Sequence, residues 1–586
     1  MQSEIKNCQN CKNEFVIEPD DFAFYKKIKV PPPTWCPECR LQRRLAWINP
    51  RTLYSRKVGA KSVISMYAQD KQYNIIEDRD WWGNAFDSTE YGKAYDFTMP
   101  FFKQFGGLLR KAPLPHLQRN YLTFENSDYC NAASYLKNCF LVFGADECEN
   151  VAYSNGVVKV KDSLEVTFTE KSELCYECFA ISQCYRCFFC RDIENCQDMI
   201  FSQDCIGCSN CIGCFGLRNK SYHIFNKPYS KEAYKQKREE LNLGSFEGLE
   251  KLRKEAESFF ILQPRKFMHG RSNNNVSGDY IYHSKNTHHA FKAIETENSK
   301  YVFILDYFNG GTADAYDYSW FGCGAELMYE AAWCGLQSSN IRFSFWNYNA
   351  TDLQYCFACP NSQSLFGCVG LNNKKYCILN KQYTKEEYEE LVPKIIQHMS
   401  AMPYTDAKGR IYKYGEFFPI ELSPFDYNET LASEFLPKPR NEIEASGYSW
   451  KDRAERSLVP DMSWKDLPDR ISDAKDDLLG KLILCRAFEE NKARASEHNC
   501  TKVFKLIPQE IALYRRFGLP LPRFCANSRH YQRMGHNSLK LYHRQCMCAK
   551  PHQHHELRCS NTFETPYAPD RPEIVYCEPC YQAEVV

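Results

Sequence analysis

The sequence lacks the features that define several large classes of protein. No apolar run approaches the ~20 residues of a membrane-spanning helix, and the opening MQSEIKNCQNCKNEF has no signal-peptide core. An excess of one charge sign is also missing, because 74 Lys plus Arg oppose 73 Asp plus Glu, a formal charge of +1. The net charge therefore gives the chain no overall attraction to nucleic acid or anionic lipid. We expect a soluble, cytoplasmic protein with no membrane partner.

Motifs for catalysis are equally scarce. The chain has no Gly-rich loop that would cradle a phosphate and no nucleophile motif. His552, His554, His555 and Glu556 lie close together in PHQHHELRC, but they do not have the His-Glu-x2-His spacing of a metalloprotease helix. The sequence therefore favours a protein that is not an enzyme, and a nuclease or redox enzyme is the least supported alternative.

Cysteine is abundant, with 31 residues in a chain of 586. At this length we expect about four domains or several smaller modules, and a hydrophobic content of 44% is sufficient for packed cores. Disulfide scaffolds are rare in the reducing cytosol. The thiols should therefore be metal ligands or core residues.

Two internal duplications define the organisation of the chain. CFGLRNKSYHIFNKPYSKEAY from Cys214 matches CVGLNNKKYCILNKQYTKEEY from Cys368 at a constant offset of 154 residues. CKNEFVIEPDDFAFYKKIKVPPPTWCPECR from Cys11 matches CTKVFKLIPQEIALYRRFGLPLPRFCANSR from Cys500 at an offset of 489. The chain therefore consists of a terminal module, two related central units and a second terminal module.

The central units have short β-prone segments every ten to twelve residues or so, separated by polar turn residues. This pattern predicts a mainly β, multi-module fold, in which zinc ribbons at both termini flank two repeated β-solenoid-like units. A helix should close each unit, with Ser230 and Thr384 as N-caps and Glu387 completing a capping box. A more open β-sandwich is the alternative.

These patterns divide the chain into seven segments. The predicted boundaries are an N-terminal zinc-ribbon pair at 1–95, a helical connector at 96–125, a Cys-rich unit with its helix at 126–256, a second unit with its helix at 257–400, a connector at 401–472, one amphipathic helix at 473–495 and a C-terminal zinc-ribbon pair at 496–586.

The N-terminal ribbon has the spacing of a four-thiolate zinc site. Cys8-x2-Cys11 is followed after 24 residues by Cys36-x2-Cys39, so that two turns can meet around one tetrahedral ion. The matching C-terminal half retains Cys500 and Cys525 but has Glu497 and Ser528 where the other two ligands should be. It is therefore expected to have kept its shape and lost its ion, and the alternative is that His498 or His530 substitutes as a ligand.

The second halves of the terminal modules show the opposite pattern. Cys577-x2-Cys580 should bind zinc together with Cys559 and with one or both of Cys546 and Cys548, or a nearby His. The N-terminal counterpart has Glu77 and Asp80 at the positions of Cys577 and Cys580, and should be metal-free. We therefore expect two Zn²⁺ ions per chain.

Thirteen cysteines lie between Cys130 and Cys214, and they suggest either a metal cluster or a packed core. The second unit distinguishes these, because it has Met328, Ala331, Ile341, Ser362 and Leu365 in place of Cys175, Cys178, Cys187, Cys208 and Cys211. Apolar residues can replace a buried thiol but not a ligand. Packing is therefore favoured, and metal binding is kept as an alternative for Cys205, Cys208, Cys211 and Cys214.

A basic, acid-free stretch follows Cys39. Cations interleaved with aromatic residues can contact phosphates and stack on unpaired bases, which predicts a nucleic-acid-binding surface made of Arg40, Arg43, Arg44, Trp47, Arg51, Tyr54, Arg56 and Lys57. The alternative is a solvated helix whose Leu and Trp face the ribbon core.

Several motifs resemble known families. Cys-x2-Cys, Phe15, an acidic stretch, Phe24-Tyr25, a Pro-rich turn and Cys-x2-Cys-Arg are similar to the probable zinc-ribbon family, which implies a small structural zinc fold and no reaction. Over most of its length the chain also resembles large uncharacterised zinc-ribbon proteins of candidate-phyla bacteria, but it lacks ligands in two of four half-modules. That resemblance rests on CPECRLQRRLAWINPRTLYSRK, YGKAYDFTMPFFKQF, the two LxNK-Tyr repeats, YHRQCMC and APDRPEIVYCEPCY.

Three functions are compatible with these features. The first is a non-enzymatic zinc-binding scaffold that binds RNA or a ribonucleoprotein through its basic ribbon surfaces. The second is a structural or assembly protein that binds only other proteins. The third is the enzyme considered above.

Overall fold

The computed structural model describes residues 2–83, 86–305, 310–452, 458–535 and 538–585. The fold is β-rich with several separate sheets, and cysteine clusters lie near both ends of the chain. Within these ranges, no helix combines the length and the apolar character needed to cross a membrane.

Residues 124–228 form the first ladder, a run of short parallel strands whose register advances by 12 residues. Gln197 pairs with Ser209, which pairs with Ser221. Isolated bridges with the same offset join Leu164 to Tyr176 and Tyr176 to Phe188. The strands are Phe124–Glu125, Asn131–Lys137, Phe140–Glu149, Ala152–Val158, Thr167–Glu170, Gln197–Ile200, Ser209–Ile212 and Ser221–Ile224, and Lys227–Pro228 pairs antiparallel with the last.

The backbone of the first ladder turns at every third residue. From Asp162 to Asp204, every third residue has a left-handed φ between 43° and 58°. The residue after each turn is buried, and from Cys175 to Cys214 most of these buried residues are cysteines that share one core. A core built from every third residue of a tightly turning chain has room for small side chains, and a free thiol packs there as a small hydrophobe.

Residues 270–382 form the second ladder, which is also parallel. Its register advances by 11 to 16 residues between paired strands, for example by 16 from Thr296 to Thr312, by 13 from Met328 to Ile341 and by 12 from Ile341 to Leu353. The strands are Gly270–Arg271, Asn274–Tyr282, Lys285–Ile294, Thr296–Lys300, Phe303–Leu305, Thr312–Ser319, Glu326–Ala332, Ser339–Arg342, Thr351–Gln354, Gln363–Phe366 and Lys375–Ile378, with Lys381–Gln382 returning antiparallel.

A helix follows each ladder, as its capping residues predict. Lys231–Glu240 begins after Ser230, whose hydroxyl accepts the Ala233 N–H at 3.2 Å. Lys385–Ala401 begins after Thr384, which forms a reciprocal capping box with Glu387 at 3.2 and 2.9 Å. The other helices between the terminal modules are Phe101–Lys111, Phe246–Ile261, Leu431–Phe435 and Arg440–Ala445.

Each terminal module contains two pairs of antiparallel strands with helices between and after the pairs, and in the C-terminal module two short helices also lie between the strands of the first pair. The N-terminal module has strands Glu4–Asn7, Glu14–Ile17, Tyr54–Val58 and Lys61–Ser65, and helices Pro19–Lys27, Pro37–Leu45 and Asp78–Trp82. The C-terminal module has strands Ile483–Leu484, Val503–Phe504, Tyr542–Gln545 and Thr562–Thr565, and helices Arg486–Glu490, Lys492–Glu497, Pro508–Phe517, Ala526–Met534 and Glu578–Val585.

The helices of the two modules pack in a crossed arrangement. Phe24 of the N-terminal module stacks on Tyr316 of the second ladder, with ring centroids 3.9 Å apart. Tyr514 of the C-terminal module packs edge-on against Tyr176 of the first ladder at 5.3 Å. Each module therefore contacts the ladder that is more distant in sequence.

The single amphipathic helix predicted at 473–495 is wrong. Gly480 turns the chain with a φ of 80°, and Ile483–Leu484 then forms a strand that pairs with Met462–Ser463 and Val503–Phe504. Two short helices follow this strand. The apolar residues that suggested one helix therefore belong to several short elements, and the strand ends immediately before Cys485.

Candidate metal centres

The four cysteines predicted in the N-terminal ribbon lie together. The sulfur atoms of Cys8, Cys11, Cys36 and Cys39 are all within 4.8 Å of one another, and those of Cys11 and Cys36 are 3.7 Å apart. A Zn–S bond of about 2.3 Å gives a tetrahedral S···S edge of roughly 3.8 Å. This thiol group therefore fits a zinc ion.

Hydrogen bonds to sulfur orient the thiols of this group. The backbone N–H of Cys36 donates to Cys8 Sγ at 3.2 Å, and Asn10 Nδ2 donates to Cys39 Sγ at 3.3 Å. Cys36 caps helix Pro37–Leu45, and Cys39 lies in its first turn. Such donors stabilise thiolate charge and hold the ligands of a structural metal site in place.

The C-terminal module contains a second four-thiol group, made of Cys546, Cys559, Cys577 and Cys580. Cys559 Sγ lies 3.8 Å from Cys577 Sγ, which again matches a tetrahedral zinc edge of roughly 3.8 Å. Among the candidates that the sequence left open, Cys546 is the residue that completes this group.

Cys548 belongs to a neighbouring set of ligand atoms. It groups with His552, His555 and Cys580, and His552 Nε2 lies 3.3 Å from its sulfur. His554 also approaches Cys580, at 3.2 Å. The thiol of Cys580 is therefore shared between the four-thiol group and a histidine-containing group.

The second half of the N-terminal module has no group of metal-ligating side chains among its described residues, and its hairpin differs from that of the C-terminal module. Its hairpin closes tightly, with Val58 paired to Lys61, whereas the C-terminal hairpin opens after Gln545 into a long loop that carries Cys546 and Cys559. Glu77 forms a 2.9 Å ion pair with Lys61.

The nucleic-acid-binding surface predicted from Arg40, Arg43, Arg44 and Trp47 is not formed, because all four side chains are at most 2% exposed. The charges of the three arginines are neutralised by carboxylates from distant parts of the chain. Arg40 pairs with Asp317 at 2.9 Å, and Arg44 pairs with the same carboxylate at 3.0 Å. Phosphate cannot reach these guanidinium groups in this arrangement.

Arg43 completes the cluster by bridging two further acids. It lies 2.7 Å from Glu330 and 3.0 Å from Glu416. Burial alone would lower the pKa of Arg43, but these two carboxylates raise it well above its usual value, so the side chain stays charged. Three arginines thus oppose three buried carboxylates, and helix Pro37–Leu45 is fixed to the second ladder.

The remaining residues of the predicted surface are mostly engaged as well. Arg56 is 7% exposed and donates to the carbonyls of Lys71 and Tyr73 at 3.0 and 3.2 Å. Arg51 is half-buried over the ring of Phe143, and Tyr54 contacts Glu429. Lys57 is the exposed cation of this set.

A matching contact holds the C-terminal module to the first ladder. Arg533 pairs with Glu165 at 2.8 Å, and Arg529 contacts both Glu165 and Glu510. Arg529 and Arg533 correspond to Arg40 and Arg44 across the outer duplication. The internal repeat therefore preserves the use of arginines as docking groups.

The central cysteines lie outside every such metal-ligating group in the described part of the chain. They are buried, and their thiols approach backbone carbonyls, as where Cys178 Sγ lies 3.3 Å from the Tyr176 oxygen and 3.2 Å from the Cys187 oxygen. This arrangement supports the packing interpretation.

Sequence reasoning did not find Asp317, Glu330, Glu416 or Cys485. The three acids lie in strands or loops more than 270 residues from their arginine partners, with no local signal to connect them. Cys485 was hidden by the wrongly predicted helix.

No family model and no curated protein matches this chain.

Proposed function

We propose that this protein is a non-enzymatic, zinc-stabilised scaffold that serves an assembly role and binds other proteins. In this proposal residues 126–256 and 257–400 form two β-solenoid units. Each coil of a unit is built from short segments of three residues, separated by bends of the backbone. The resemblance of the terminal modules to zinc ribbons supports one zinc ion on Cys8, Cys11, Cys36 and Cys39, and another on Cys546, Cys559, Cys577 and Cys580.

The burial of the arginines in helix Pro37–Leu45 carries the proposal. These residues belong to an acid-free basic stretch of a nearly neutral chain, and they pair with Asp317, Glu330 and Glu416. A basic group used for internal docking is not available for phosphate. The terminal modules then act as clamps on the ladders, which favours the protein-assembly alternative over RNA binding.

The zinc ions would supply stability to the small ribbons, since such folds derive much of their stability from the metal. No described side chains in these groups suggest an open catalytic position, because each four-thiol group already offers four ligands. The resemblance to structural zinc folds points in the same direction.

RNA retention by the full-length, zinc-loaded protein tests the proposal against the RNA alternative. Single-stranded and structured RNA are each applied at low salt, with Lys57→Ala as the variant that removes the exposed cation. We expect no salt-dependent retention. Retention that weakens steeply with salt would overturn the assembly proposal in favour of RNA binding. In that case the slope of log affinity against log salt concentration should fall by about 0.7 in Lys57→Ala.

The assembly role is tested by cross-linking the native protein in its own cells after nuclease treatment. We expect defined protein partners whose cross-links disappear in Cys36→Ser, which loses the N-terminal clamp. Recovery of the protein without any partner, with and without nuclease, would contradict the role.

A further inference from the structure

We propose that Cys485, Cys500 and Cys525 hold a third zinc ion, with the hydroxyl of Ser528 at the fourth corner. The three sulfur atoms lie within 4.8 Å of one another. Cys485 and Cys525 are at most 1% exposed, and Cys500 is half-buried. This is the half-module whose sequence suggests that its metal was lost.

The local geometry of these thiols repeats that of the two four-thiol groups. The N–H of the third cysteine donates to the sulfur of the first at 3.2 Å in the N-terminal group, 3.3 Å in the C-terminal group and 3.1 Å for Cys525 and Cys485. The sulfurs of the second and third cysteines are 3.7, 3.8 and 3.6 Å apart in the same order.

Cys485 also occupies the same place in the fold as the first ligand of the other groups. Cys8 directly follows Asn7, which pairs with Glu14 across an antiparallel hairpin. Cys546 follows Gln545, paired with Thr562, and Cys485 follows Leu484, paired with Val503. In all three cases the first cysteine directly follows the last residue of a hairpin strand.

A long insertion concealed this relation in the sequence. Helices Arg486–Glu490 and Lys492–Glu497 lie between Cys485 and Cys500, where the N-terminal group has two residues between its first two ligands. The C-terminal group has a comparable loop between Cys546 and Cys559. Glu497, which stands at the expected ligand position, is exposed on the inserted helix.

Ser528 stands where the fourth ligand belongs. It is fully buried in the first turn of helix Ala526–Met534, as Cys39 is in its own helix. Its Oγ lies 3.3 Å from Cys525 Sγ and 3.8 Å from Cys485 Sγ. Zn–S bonds of about 2.3 Å and a Zn–O bond of about 2.0–2.2 Å give an O···S edge of roughly 3.5 Å.

Three thiolates and a neutral oxygen make a weaker site than four thiolates. We therefore expect the ion on Cys485, Cys500 and Cys525 to be the first of the three to leave during titration with a chelator. The fourth corner is the position at which an outside ligand could replace the serine oxygen.

The proposal is tested by comparing the zinc content of purified full-length variants with that of the unmodified protein. Cys485→Ala and Cys500→Ala, which leave no ligand atom at these positions, should each contain about one zinc ion less per chain than the unmodified protein. Cys377→Ala is the matched control, because Cys377 is a fully buried thiol of the second ladder and its loss should leave the zinc content unchanged. Comparison with the parent chain removes any contribution from the Cys548 and histidine group.

Ser528→Cys provides a test that keeps all three thiols and replaces the serine oxygen by a fourth thiol, so it does not depend on the folding of the variants that lose a cysteine. A fourth thiolate should leave the number of zinc ions unchanged. It should also lower the rate at which a chelator removes this ion, so that the rate equals that of the other two ions. Unchanged zinc content in both Cys485→Ala and Cys500→Ala, or unchanged chelator kinetics in Ser528→Cys, would overturn the proposal.

Discussion

At the scale of single residues, His269 connects the two ladders. Its Nδ1 lies 2.9 Å from Asp279 of the second ladder, and its Nε2 lies 3.6 Å from Asp192 of the first. The imidazole also stacks on Tyr280, whose hydroxyl donates to Asp192 at 2.7 Å. One histidine thus holds two carboxylates that would otherwise repel each other across the junction.

The protonation of His269 makes this junction sensitive to pH. Burial alone would lower the pKa of His269, but Asp279 and Asp192 raise it to about 9, above the roughly 6.5 of an unfolded chain. The stabilisation is therefore complete below about pH 6.5 and is lost as pH rises through about 9. In urea unfolding between pH 6 and 10, His269→Gln should show a flatter pH dependence than the parent protein, and parallel curves would contradict this.

The ladder thiols provide a second prediction at this scale. Cys175 and Cys187 are fully buried, and the second unit has Met328 and Ile341 at the matching positions. Cys175→Met and Cys187→Ile should each reduce the free energy of unfolding by less than about 1.5 kcal/mol, as expected for apolar replacements that the neighbouring core can accommodate. Urea unfolding at pH 7 measures this, and loss of folding in either variant would contradict the packing interpretation.

At the scale of elements, helix Pro37–Leu45 depends on its buried ion pairs. Arg43→Leu would leave Glu330 and Glu416 without this partner, and breaking such a buried pair costs about 3–5 kcal/mol. We expect a loss of that size in urea unfolding of the zinc-loaded protein. Lys57→Ala is the matched control, because Lys57 is exposed and its removal should change stability by no more than about 0.5 kcal/mol.

The elements that the sequence predicted well have local signals. Thr384 and Glu387 are three residues apart, so the capping box that they form predicts the start of a helix. Cys8 and Cys11, like Cys36 and Cys39, have a spacing set by a single turn. The same Cys-x2-Cys spacing recurs from Cys205 to Cys214 for a different reason, because every third residue of the first ladder enters its core.

The elements that were predicted wrongly depend on contacts between distant residues. The basic character of helix Pro37–Leu45 is visible in the sequence, but its acidic partners are supplied by the second ladder and the following connector. Likewise, the strand Ile483–Leu484 exists because Val503–Phe504 and Met462–Ser463 pair with it. Tertiary pairing, which no local pattern records, decided both outcomes.

At the scale of the whole molecule, the crossed docking couples segments that are far apart in sequence. The N-terminal helices neutralise Asp317 and Glu330 in the second ladder, and the C-terminal helices neutralise Glu165 in the first. These acids are fully buried. Without the arginines each would be an unpaired buried charge, so each ladder depends on the module at the far end of the chain.

This dependence predicts how the loss of one of the proposed zinc sites spreads. If Cys8, Cys11, Cys36 and Cys39 bind zinc as proposed, Cys36→Ser should unfold the N-terminal module around them, because a structural metal supplies much of the stability of so small a fold. Helix Pro37–Leu45 then no longer neutralises Asp317 and Glu330, so amide hydrogen exchange should accelerate in strands Thr312–Ser319 and Glu326–Ala332. The first ladder, whose Glu165 is held by Arg533, should keep its protection. Cys377→Ser should leave exchange in both regions unchanged, since the thiol lost there lies outside the metal groups. Faster exchange confined to residues 2–45 in Cys36→Ser would show that the second ladder is stable without its clamp.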